Sequence, residues 1–165
     1  MPLPNGALLQ PALMSDEGRE VVKQEIEIRR DLTKLSEVRT FVRQFCACLP
    51  GARLDQDDVG ALELAVTEAA SNIMRHAYHG NEEGSIRVEA ESLPGKIRLR
   101  LLHQGASFDP STAALPVLDC SAESGYGVFI IAQSVDDVRY YRDDLGTNCI
   151  ELTKTVKSPG GEREH

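Results

Sequence analysis

Apolar and polar residues alternate with a helical period from Asp55 to Tyr78. Leu62, Val66, Ala69, Ile73 and Ala77 recur at spacings of three and four, which predicts one long amphipathic helix. Upstream, Val22, Gln24, Ile26 and Ile28 alternate with Lys23, Glu25, Glu27 and Arg29, the pattern of a half-buried strand from Glu20. Asp31 or Thr33 can cap a following helix whose apolar positions are Leu35, Val38, Phe41, Val42 and Phe45. Leu49-Pro50-Gly51 ends it. Two strands, Ser85 to Glu91 and Lys96 to Leu102, flank Leu93-Pro94-Gly95 and form a hairpin. From His103 to Ser124 no period survives, and Gly105, Pro110 and Pro116 interrupt the chain. A loop of that length in a compact domain is functional or mobile. Gly125-Tyr126-Gly127 then opens an apolar helix, Val128 to Val135. Strands Asp137 to Arg142 and Asn148 to Lys154 close the chain around a Gly146 turn.

Antiparallel neighbours with helices between them predict a two-layer α/β sandwich with its helices on one face. A Rossmann domain is disfavoured, because it needs alternating parallel βα units. The expected organisation is one domain over residues 19–156, a segment without fixed structure at 1–18 and a flexible tail at 157–165.

On the long helix Glu68, Asn72 and His76 repeat every four residues and share a polar line. A carboxylate, an amide and an imidazole so arranged suit a metal–phosphate site with a nearby base. The spacing alone equally describes a solvated helix face.

Composition narrows the field. With 165 residues the chain is long enough for one substantial core, and its 41% hydrophobic and 27% charged residues are ordinary for a globular protein. A net charge of −8 argues against nonspecific nucleic-acid binding, which needs a basic surface. No apolar run reaches membrane-spanning length, and the N-terminus makes a poor signal peptide, so a cytoplasmic location is expected. Cys46, Cys48, Cys120 and Cys149 form no CxxC and read as reduced thiols. His76 and His79 lack the partners of a zinc site.

Four segments in order, ELAVTEAASNIMRHAY, FDP at Phe108 to Pro110, GYGVFIIAQSVDDV and GTNCIELTK, make residues 20–156 resemble the GHKL ATPase superfamily, and within it the anti-sigma factor serine/threonine kinases. The resemblance implies a mixed, mostly antiparallel sheet, ATP and Mg2+ as cofactors, and a sigma factor and an anti-sigma-factor antagonist as partners of a homodimer. It implies Glu68 as the catalytic carboxylate, which takes or orients the proton of an attacking serine. Asn72 matches the magnesium-binding Asn. His76, Arg75, Asp109, Tyr126 and Val128 fall at or beside nucleotide-binding positions, and Gly125 and Gly127 would let backbone N–H groups approach phosphates. For His76 a helix-packing role, and for the glycines a plain turn, stand beside these readings.

Two departures from the family's motifs stand beside these matches. The family's Asp-x-Gly, whose Asp accepts from the adenine amino group, is His103-Gln104-Gly105 in this chain. No Lys or Arg occurs between Arg100 and Arg139. A binding module with weak or no ATP turnover is therefore the alternative to the kinase. A detached histidine-kinase catalytic domain is a third reading, without the phosphoacceptor helix such kinases use.

Overall fold

A computed structural model of the chain describes residues 8–9, 13–14, 20–49, 54–78, 83–106 and 126–156. Its elements are β1 (Leu8–Leu9), β2 (Leu13–Met14), β3 (Glu20–Arg29), a 3₁₀ turn (Leu32–Lys34), α1 (Leu35–Ala47), α2 (Gln56–Asn72) and a π-helical turn (Ile73–Ala77). There follow β4 (Ser85–Leu93), β5 (Lys96–His103), α3 (Tyr126–Ser134), β6 (Asp137–Arg142) and β7 (Asn148–Thr155).

The sheet runs β1-β3-β4-β5-β7-β6, with β2 also on β3. Every pairing among the described residues is antiparallel, so the sheet expected as mostly antiparallel is wholly so here. The two-layer sandwich is as expected. The last two strands enter in reverse order. β7 takes the place beside β5, and β6 becomes the edge.

Within residues 1–18 two short strands, Leu8–Leu9 and Leu13–Met14, pair with β3. The physical reason is the free edge of β3, whose N–H and C=O groups need partners that β4 cannot supply on that side. The remainder of that segment, the tail after 156, His79 and Gly80, Cys120 and the loop from 107 to 125 lie outside the described residues.

Period two along the strands puts Ile26 and Ile28, Ile86, Val88 and Ala90, Ile97, Leu99 and Leu101, and Ile150 and Leu152 on one buried face. Against it lie Val38, Phe41, Val42 and Phe45 of α1 and Leu62, Val66 and Ala69 of α2. Each fully buried large apolar side chain contributes about 1.5–3 kcal/mol, so this interface holds the helices in place. The other sheet face carries charge. Glu89 meets Arg100 at 2.9 Å and Arg87 at 3.3 Å, and Arg98 meets Glu91 at 2.6 Å. The two cross-strand pairs, Glu89–Arg100 and Glu91–Arg98, stabilise modestly and help keep that face polar.

Candidate functional site

The long helix begins with a capping box. Asp55 accepts from the Asp58 N–H at 2.8 Å, and the Asp58 carboxylate accepts from the Asp55 N–H at 3.4 Å. Its apolar stripe is buried as the periodicity requires. That leaves Glu68 and Asn72 half-buried on the opposite line, with His76 and Arg75 exposed. At Ile73 the hydrogen bonding widens from α to π, a change often found at functional sites.

Helix α3 brings its first turn onto that polar line. A Cβ placed on Gly127 would lie 3.0 Å from Asn72 Nδ2 and 3.1 Å from both Asn72 Oδ1 and Glu68 Oε2. A side chain there would fill the space between the helix N-terminus and the carboxylate–amide pair, so glycine keeps the backbone close. Glu68, Asn72 and Gly127 are thus one cluster, with Val128 half-buried in the same turn. Tyr126 opens the helix. Gly125 and Asp109 lie outside the described residues.

A second group sits at the C-terminal end of the long helix. His103 ends β5 on the helix-facing side, opposite Ile86 of β4 and Asn148 of β7. It is 3% exposed, and its ring meets Tyr78 edge-on, 6.2 Å between centroids. Its Nδ1 is buried without a hydrogen-bond partner, and burial pulls its pKa down to about 4. The imidazole is therefore neutral at pH 7 and offers one acceptor or one donor, according to tautomer.

Gly105 is wedged between two elements. Its carbonyl accepts from Asn148 Nδ2 at 2.5 Å, and the next N–H, of Ala106, donates to the Ala77 carbonyl at 2.6 Å. The two bonds tie the end of β5 to both β7 and the π-turn. A cavity of about 150 Å³ opens at this end of the sheet, among His103, Asn148, Tyr140 and Arg142.

The structure also assembles residues that the sequence reading did not single out. Asn148, 6% exposed, is a polar residue on the inward parity of β7, in phase with Ile150 and Leu152. That parity was the available signal. Arg142 donates to Asn148 Oδ1 at 3.2 Å. Arg30 and Tyr78 border the π-turn, and no periodicity marks Arg30.

The larger cavity, about 490 Å³, lies elsewhere, between α1 and the start of α2, and Arg43 and Glu63 form an ion pair at its margin. It contains none of the predicted site residues.

The arrangement suits a magnesium nucleotide. Asn72 offers a hard carbonyl oxygen beside a helix N-terminus where a Cβ would crowd it, and the partnerless His103 Nδ1 can meet one hydrogen-bonding edge. Among the described residues no helix is long and apolar enough to cross a membrane.

Comparison with known proteins gives three findings. A family model described as a histidine kinase-like ATPase domain matches residues 28–154. The serine-protein kinase RsbW of Staphylococcus aureus (strain JH9) is 33% identical over 110 residues, spanning 61% of this chain and 68% of that protein, and the strain Newman protein matches equally. Among solved structures, the mycobacterial sensor histidine kinase MprB aligns with a TM-score of 0.47 and 17% identity, over 81% of this chain and 100% of that one.

Proposed function

The chain belongs to the histidine kinase-like ATPase family, in the company of serine-protein kinases, and on that premise we propose that it is an anti-sigma regulatory factor with ATP-dependent serine/threonine kinase activity. Its substrate is a small anti-sigma-factor antagonist, and it also sequesters a sigma factor, acting as a cytoplasmic homodimer without contacting nucleic acid or membrane itself.

One observation carries this reading, the packing of Glu68 and Asn72 against the Gly127 backbone at the start of α3. ATP with Mg2+ supplies the phosphoryl group and neutralises its charge. The protein's task is then mainly positioning. Asn72 would hold the metal through its carbonyl oxygen. The N-terminal turn of α3, kept bare by Gly127, offers N–H groups to phosphate oxygens. Glu68, one turn before Asn72, orients the attacking hydroxyl and takes its proton. Buried, neutral His103 faces the base, with Gly105 holding that strand end against the helix, and Arg75 and His76 flank the nucleotide.

The binding-module reading is favoured by two observations. A neutral imidazole stands where the family has a carboxylate, and no cation occurs from 101 to 138. Calorimetric titration with Mg-ATP and Mg-ADP separates the two. Measurable affinity, followed by phosphate transfer to an antagonist, supports the kinase. Silence at millimolar nucleotide sinks it in favour of the binding module.

A further inference from the structure

The last carbonyls of an α-helix have no N–H of their own helix to accept from, so groups outside the helix or water must satisfy them. Among the described residues the turn from Ile73 to Ala77 has two such partners. One is the Ala106 N–H, on the Ala77 carbonyl. The other is Arg30, the residue after β3. Its Nε donates to the Met74 carbonyl at 2.8 Å, and its Nη2 donates to the Tyr78 carbonyl at 3.3 Å.

Further contacts fix this clamp. The Arg30 N–H donates to the Gly84 carbonyl at 2.7 Å, which anchors the residue beside β4. The guanidinium lies 5.5 Å from the centre of the Tyr78 ring. Tyr78 in turn donates its hydroxyl to the Ser85 carbonyl at 3.3 Å and meets the His103 ring edge-on. Gly84 leaves room for that ring, since a Cβ there would lie 2.5 Å from Tyr78 Cζ. One planar cation thus touches both the turn that follows Asn72 and the aromatic ring that borders His103. A guanidinium suits this task because its rigid fork serves two carbonyls while its face stacks on an aromatic ring, which an ammonium cannot do.

We propose that Arg30 is a positioning residue of the candidate site. Through the π-turn it sets where the Asn72 amide stands, without touching substrate itself. The proposal rests on the reading that the site takes a magnesium nucleotide, so the wild-type protein is titrated first, with Mg-ATP and with ATP in EDTA. Silence in both titrations removes that reading, and this proposal with it.

Given wild-type binding, Arg30→Lys keeps the charge at the helix end but not the fork, and Arg30→Gln keeps one donor without charge. Both variants are expected to melt cooperatively. Affinity for Mg-ATP falls about ten-fold in each, while affinity for metal-free ATP changes by less than about three-fold, as when a group that orients a metal ligand is removed. Three results would overturn the proposal. Full Mg-ATP affinity in Arg30→Lys would mean that only a cation at the helix C-terminus matters. Equal losses with and without metal would mean that the ligand is not being oriented. Failure of both variants to fold would make Arg30 a structural pillar instead.

Discussion

Replacing Gly105 by alanine tests the joint between β5 and the long helix. The φ angle of Gly105 is not positive, so its backbone conformation is open to alanine. A Gly→Ala change at such a position ordinarily stabilises by about 0.4–1 kcal/mol through the unfolded chain. Space decides otherwise. The new Cβ would lie 2.5 Å from the Ala77 oxygen, 2.9 Å from its Cβ and 3.0 Å from its carbonyl carbon. These are backbone and Cβ atoms that cannot swing aside, so the strand end must lift. Overpacking of this sort costs about 1–3 kcal/mol. Lifting also strains the Ala106 N–H bond to Ala77 and the Asn148 bond to Gly105, each contributing about 0.5–1.5 kcal/mol. Net of the entropic gain, the loss is about 2–3 kcal/mol, or a Tm roughly 4–12 °C lower for a chain of this size. Gly60→Ala is the control, since nothing lies within 4 Å of a Cβ on that mid-helix glycine. It should gain up to about 1 kcal/mol from helix propensity. Thermal melts followed by circular dichroism measure both. A Gly105→Ala protein that melts at or above the wild-type temperature would show that the helix–strand joint yields freely, and the reasoning from close approach would fail.

Three further outcomes are expected. Glu68→Gln should lower phosphotransfer by at least about 100-fold while nucleotide affinity holds, because it keeps the shape of the side chain and removes the proton acceptor, whereas Asn72→Ala should remove the magnesium-dependent part of binding. If the two variants lose affinity alike, the division of roles is wrong. Gly127→Ala should melt within a few degrees of wild type, since the atoms nearest its Cβ are the ends of two flexible side chains. Phosphotransfer should nonetheless drop about 100-fold as Glu68 and Asn72 are displaced, and unimpaired transfer would contradict the cluster. His103 should make the fold acid-sensitive. Its folded pKa, about 4, lies below the ordinary 6.5, so the unfolded chain binds the extra proton first. Stability is full above pH 6.5 and declines as pH falls toward 4, by roughly 2 kcal/mol from this group. Urea titrations of wild type and His103→Gln across that range should show the variant without this part of the slope, and parallel slopes would refute the assignment.

What the chain determined by itself is local. Period 3.6 at Leu62, Val66, Ala69 and Ile73, and period two at Ile86 and Val88 or Leu99 and Leu101, marked the helix and the strands, because each pattern has a single geometry that buries its apolar side. The turns at Gly95 and Gly146, with φ of 73° and 80°, were legible because few residues other than glycine adopt that backbone. Spacing also placed Glu68 and Asn72 on one line, one helical turn apart.

Tertiary structure decided the rest, because the deciding partners are far apart in sequence. The period of β6 or β7 does not say which will lie beside β5; in the fold β7, with Cys149, Ile150 and Leu152 buried, takes that place and the more exposed β6 the edge. The pairing of Leu8–Leu9 and Leu13–Met14 depended on the open edge of β3. For Gly127 the sequence left a phosphate-approach role and a plain turn side by side, and its closeness to Glu68 and Asn72 came from the packing of α3 on α2. The charge state of His103 came from burial among β4, β7 and Tyr78, since an imidazole at a strand end is otherwise free to titrate near its usual pKa. Arg30 carried no signal because its partners, Met74 and Tyr78, offer backbone carbonyls, which every residue has and no sequence pattern can display.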